Sequence, residues 1–270
     1  MISSLLCASA VWAYTFAGAT EFRYGVDVTF DGYLPVFGGN QGRVDVNLVL
    51  LVKPIAGSEA GTFAVESSLE DAKISFNSDP LPLAISDFER FIPKSKSVFF
   101  SGGVLKSTTT PKVELPFRLP GLDVEQFAAI TFIPIQFPEK PGDLWTYTSS
   151  FSGNPLRTQV RVLSETEKLA TFSITRDQTL ESFEDENQDL VSEKEKATSV
   201  VKTKGIGSGK LEFDRVSGSI ETYSMKFFTQ SEVTPIAGGE SKTRKLNVSF
   251  LVKRLHPSKA GVVKDGGKLK

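Results

Sequence analysis

The chain has 270 residues, 31 basic against 32 acidic, with a formal net charge of −1, which excludes the basic excess of a generic nucleic-acid binder. It is long enough to bury a sizeable core, and its 21 Phe, 22 Gly and 14 Pro suit a β fold with many turns. A single His and a single Cys leave little for His-assisted nucleophilic catalysis or a thiolate zinc centre.

Met1 to Ala19 carries no charged side chain, and Leu5 to Ala17 is apolar or small. Ala17-Gly18-Ala19 has the A-x-A pattern of a cleavage site, with Val11-Trp12-Ala13 as an earlier option. These features predict a secretory signal peptide over residues 1–19, whose missing basic n-region would lie upstream of Met1. The alternative is a buried N-terminal segment. Leu6 is too large for the lipoprotein pattern before Cys7, so no lipid anchor is expected. Removal of Cys7 would leave a mature chain without cysteine, which points to a periplasmic or secreted bacterial protein. No later apolar run is long enough for a transmembrane helix.

Phe22, Tyr24, Val26, Val28 and Phe30 alternate with polar residues, as a half-buried strand requires. Val44 to Val52 repeats the pattern after a turn-rich loop, and Thr62 to Phe76 reads as a strand pair or one long bent strand. Pro80, Pro82 and Pro93 forbid long elements in the next stretch, where Ile85 to Phe91 suits a short helical turn. Val98 to Leu105 is a strand broken at Gly102-Gly103. Val113 to Leu119 alternates despite Pro116, as an edge strand can. Asp123 to Ile130 is the best helix candidate, with Asp123 as cap and Gln126 three residues on. The prolines of Phe132 to Pro138 then force an extended chain.

Asp143 to Ile174 reads as an antiparallel meander carrying Trp145 and Tyr147. The charge run Glu181 to Lys196 suggests a solvated hairpin extension or loop. The plainest hairpin is Gly205 to Phe228, with its turn at Asp214 to Gly218 and Tyr223, Met225 and Phe227 on one face of the returning arm. Ile220 has the wrong parity for that face, so a bulge or flip is expected near the turn. Ser231 to Thr243 reads as a loop and Leu246 to Val252 as the last strand. Residues 257–270 form a Lys- and Gly-rich tail expected to be disordered.

The fold class predicted is all-β with at most one or two short helices: a large curved antiparallel meander sheet or an open barrel, in which two similar halves are one option. The boundaries expected are an N-terminal β half over 20–137 and a C-terminal meander half over 138–256. The sequence has no G-x-S-x-G, H-E-x-x-H or Walker loop. Asp185, Asn187 and Asp189 have calcium-loop spacing, but Leu190 and Lys196 stand where glycine and glutamate are required. His256 beside Pro257 suits a solvated surface position. No catalytic residue, metal ligand or cofactor is therefore assigned.

Pro138 to Trp145 (PEKPGDLW) and Gly207 to Gly218 (GSGKLEFDRVSG) carry a pattern that resembles a loosely defined group of exported bacterial β-rich proteins of unknown function. At fold level, the long meander is similar to the periplasmic lipoprotein-carrier architecture, which implies a curved sheet able to hold a lipid. The function expected is a non-catalytic binding or scaffold module of the cell envelope, with a lipid or other apolar ligand as partner. The alternative is a hydrolase using paired carboxylates. Trp145, Tyr147, Tyr223, Met225 and Phe227 are the candidate ligand-lining residues; the same pattern also fits a closed core.

Overall fold

The alternating stretches pair into one antiparallel sheet of thirteen strands in a computed structural model that describes residues 12–34, 41–56, 59–109, 131–140, 142–151, 154–186, 190–191 and 197–256. The chain starts at the middle of this sheet. Strands β1 (Phe22–Tyr33), β2 (Gln41–Ile55), β3 (Thr62–Phe76), β4 (Asp79–Pro80), β5 (Ser95–Phe100) and β6 (Leu105–Thr108) meander outward to one edge, with β4 paired to β3 off the main path. The chain then passes to the opposite edge. From there β7 (Leu144–Phe151), β8 (Asn154–Glu165), β9 (Leu169–Glu184), β10 (Leu190–Val191), β11 (Ser199–Asp214), β12 (Ser219–Pro235) and β13 (Lys242–Leu255) meander back, with β10 paired only to β9. The last strand closes the seam on the first, from Arg23↔Leu255 to Gly32↔Leu246. The edge strands β6 and β7 do not pair, so the sheet is open rather than a barrel.

The expected elements are present with few differences. Thr62–Phe76 is one strand, bent where Glu70 has no partner between Leu50↔Leu69 and Val49↔Asp71. The broken strand at Gly102-Gly103 is the hairpin β5–β6. Helix α1 (Ile85–Glu89) is a single short turn; Asp87 accepts the Ala84 N–H at 2.9 Å and Phe88 is buried. The parity fault at Ile220 is resolved by a bulge: Glu212 pairs Thr222 and Phe213 pairs Ile220, so Glu221 is skipped and Ile220 turns inward. Two expectations need correction. The predicted loop from Ser231 is still strand through Pro235, because β13 offers it a partner as far as Val233↔Lys242. The charge run is not wholly solvated, since Glu184 at the end of β9 is 3 % exposed and paired with Arg244. Val113–Leu119, Asp123–Ile130 and the 257–270 tail lie outside the described residues.

One face of the sheet is buried and the other faces solvent, as the alternation demands. Across the buried face the register aligns side chains in rows. One row runs Trp145, Val160, Ile174, Gly209, Met225, Phe250 and Val28; the next runs Tyr147, Thr158, Arg176, Gly207, Phe227, Val248 and Phe30. Among the described residues no second sheet covers this face. Among the described residues its cover is made of residues 12–19, α1, and the 131–137 part of the connection from β6 to β7, whose Phe132, Ile133, Ile135 and Phe137 are buried. The described residues 131–137 of that connection lie against the inner face.

Candidate functional site

Residues 12–19 act as a strap over the aromatic end of the inner face. Trp12, Tyr14 and Phe16 occupy alternate positions and are all buried. The strap's backbone is held at both flanks: the Tyr14 N–H donates to the Ser101 carbonyl at 2.8 Å, and the N–H groups of Thr15 and Ala17 donate to Gly218 and Ser217 at 3.0 and 2.8 Å. Its rings pack edge-on or tilted, the geometries that aromatic quadrupoles favour. Trp12 meets Phe172 at 5.1 Å, Tyr14 meets Phe137 at 5.0 Å and Phe16 meets Phe22 at 5.2 Å. The boundary expected at Ala19 thus falls after a segment that fills the core. The alternation of Trp12, Tyr14 and Phe16 was visible in the sequence, but an uncharged apolar stretch reads equally well as a leader.

Gly218 fixes the strap to the β11–β12 turn. It has φ +61°, and a Cβ there would lie 2.1 Å from Thr15 Oγ1 and 2.7 Å from the Thr15 nitrogen. Replacing Gly218 by Ala therefore combines left-handed backbone strain with a backbone clash. The variant should lose about 2 kcal/mol or more, with hydrogen exchange accelerating at Tyr14 and Thr15 before the sheet. Unchanged exchange there would show that the turn does not hold the strap.

All five predicted ligand-lining residues lie on the inner face, in three adjoining rows. Tyr223 and Met225 are buried, and Tyr223 packs edge-on against Phe250 at 5.7 Å. Phe227 lies over the bare backbone of Gly207, where a Cβ would come within 2.6 Å of its ring. Trp145 and Tyr147, on the edge strand, are half-buried and grip the connecting segment from below. Trp145 Nε1–H donates to the Gln136 carbonyl at 2.9 Å, and the Gln136 N–H donates to the Tyr147 hydroxyl at 3.1 Å. Trp145 also touches Trp12, Phe137 and Phe172, with ring centres 5.6, 6.4 and 5.9 Å away. The rows bring these residues together, and the strap and connecting segment cover them.

Sequence reasoning missed the polar groups on this face. Arg176 and Gln178 fall on the same parity as Phe172, Ile174 and Leu180, and both are buried. That parity was the available signal. Arg176 donates to the Pro134 carbonyl and lies beside Tyr147, Tyr223 and Tyr14. Burial opposes its charge, but these tyrosines hold its pKa above the ordinary arginine value. Burial in turn pushes the Tyr14 and Tyr223 hydroxyls upward, so both are neutral at physiological pH.

Two of the described carboxylates, Glu184 and Asp214, lie against arginines. Glu184 is raised by burial despite Arg244, which also stacks on the Tyr33 ring at 4.1 Å. Asp214 is raised by burial but lowered more by Ser217, by the Val216 and Ser217 amides and by Arg254, leaving it below its usual value. Arg254 also lies 3.9 Å from Glu221, so these two acids share a cation at the β11–β12 turn. Among the described residues no group of three His, Cys, Asp or Glu could hold a metal ion. No helix among them is long and apolar enough to cross a membrane.

No family model and no curated protein matches the sequence. The fold has a solved counterpart. A lipovitellin structure, described as "Lipid-protein interactions in lipovitellin", superposes on 90 % of this chain with a TM-score of 0.51 at 12 % identity. The match spans 26 % of the lipovitellin chain, so this protein corresponds in length to about a quarter of it. A protein of unknown function with a hot dog fold from Alicyclobacillus acidocaldarius aligns over 86 % of this chain and 79 % of its own, at 9 % identity, with a TM-score of only 0.13. The lipovitellin likeness is one of fold: a large, open, curved antiparallel sheet.

Proposed function

We propose that the protein is a non-catalytic binding module whose inner sheet face takes the apolar chain of a lipid. One observation carries this reading: among the described residues, a broad and largely apolar sheet face is roofed by short segments instead of a second sheet. Such a roof can lift without breaking any strand pairing. Among the described residues, the 131–137 segment makes one backbone-to-backbone bond outside the regular elements, from the Phe137 N–H to the Gly102 carbonyl at 2.8 Å, and is otherwise held by side chains at Pro134, Ile135 and Gln136. Segments with few such bonds open at lower free energy than the ladders beneath them. Lipovitellin, whose structure is described in terms of lipid–protein interactions and whose fold matches this one, supports the reading.

The uncharged N-terminal stretch supports an exported protein of the cell envelope. With Trp12, Tyr14 and Phe16 in the core, a leader would be cut ahead of Trp12, and Ala8-Ser9-Ala10 supplies a small-x-small site there.

The test is to purify the protein from its native host without denaturant, extract it with organic solvent and identify apolar molecules by mass spectrometry. A lipid recovered in near-stoichiometric amount is expected. A lipid-free extract, together with no uptake of oleate by the purified protein, would remove the reading.

A further inference from the structure

On β9, the third strand from the β7 edge, the inner face carries a positive charge that none of the described carboxylates neutralises. Arg176 is 5 % exposed, yet none of the described carboxylates pairs with it; its neighbours are the Pro134 carbonyl, to which it donates, and three tyrosines, of which Tyr147 is hydrogen-bonded to it. Its Nε–H has no partner. Directly across the ladder, Thr158 is 1 % exposed and its hydroxyl is also without a partner. Tyr147 follows Thr158 in the same row. A buried guanidinium without a counter-ion is costly to keep, and an unmade hydrogen bond beside it adds to the cost. On the far side, Gly207 carries no side chain of its own and the Phe227 ring lies over it. Two donors without partners, one of them on a cation, thus meet on a face that also buries Gln178.

We propose that Arg176, with Thr158 and Tyr147 beside it, binds the anionic head group of an amphipathic ligand, a carboxylate or a phosphate, whose chain lies along the aromatic end of the inner face. This rests on the lipid-binding reading above and adds the head-group class to it. The guanidinium offers a planar pair of N–H donors that matches either oxyanion, and the low dielectric of the covered face strengthens the contact. The ligand supplies the missing counter-charge, and the Thr158 hydroxyl completes the cradle.

The experiment compares oleate, oleyl alcohol and inorganic phosphate on the full chain by calorimetry and thermal melts. The intact protein should bind oleate about tenfold or more tighter than oleyl alcohol. Arg176→Met should bring the two affinities together while leaving the alcohol's affinity in place. Without ligand it should melt at the same or a higher temperature, because it removes an uncompensated buried charge. Thr158→Val serves as a second, shape-preserving variant should Arg176→Met not fold, and should weaken oleate several-fold and the alcohol not at all. Equal binding of oleate and the alcohol by the intact protein overturns the head-group assignment while leaving the lipid reading standing. Failure of both to bind overturns the two together. Stabilisation by phosphate alone as large as that by oleate would show a free-anion site and overturn the amphipathic ligand. A ligand-free Arg176→Met that melts well below the intact chain would make Arg176 a latch on Pro134 and likewise overturn the assignment.

Discussion

A chain that begins at Thr20 is expected to lose its cooperative unfolding transition. The cut removes Trp12, Tyr14 and Phe16, three buried rings that fill the space between the inner face of the sheet and Phe132 and Phe137. Truncating one buried aromatic to alanine costs about 3–5 kcal/mol, so three together approach the whole stability of a typical domain, about 5–15 kcal/mol. The cut also breaks the backbone bonds to Ser101, Ser217 and Gly218 and leaves those carbonyls facing an emptied apolar groove. Urea melts followed by near-UV circular dichroism would show a sharp transition for the longer chain and a broad one, with dye binding, for the shorter. N-terminal sequencing of the native protein gives the same answer from the other side: the mature chain should retain Trp12. A native protein starting at Thr20 that unfolds cooperatively would mean the strap is dispensable.

Trp145→Ala should cost about 3 kcal/mol. From sequence, Trp145 could line an open groove or belong to a closed core, and these readings differ in what its removal does. In an open groove most of the ring is already wet and truncation would barely change stability. Here the ring sits among Trp12, Phe137 and Phe172, and its Nε1–H holds the Gln136 carbonyl. Losing it opens a cavity at the junction of the edge strand, the strap and the connecting segment, and leaves a carbonyl without its donor. The same change should loosen the roof and so raise the rate of oleate uptake even as stability falls. A melt within about 0.5 kcal/mol of the parent would place Trp145 at a solvated surface instead.

Arg176 and the strap show where sequence reading ends. Strand faces were legible because a period of two needs only the local chain. Tyr223, Met225 and Phe227 were assigned to one face and share one, and the mismatch at Ile220 located a bulge that the register confirms at Glu221. The short helix at Ile85–Glu89 was legible from the prolines around it. The period-two segments pointed to the all-β class by the same local logic.

Which strand lies beside which was a different matter. The pairing of β1 with β13 joins residues more than two hundred positions apart, and nothing in either segment names the other. That seam makes one open sheet out of two meanders. The role of Trp12, Tyr14 and Phe16 was hidden for a related reason: an apolar, uncharged segment is equally suited to a membrane-inserting leader and to a protein core, and only the groove that receives it decides. Arg176 was legible as inward-facing by parity alone, but its lack of a counter-charge depends on which carboxylates the fold brings near. Local periodicity determined the faces of the strands; the long-range pairing of those faces determined the cover over them and the uncompensated charge left beneath it.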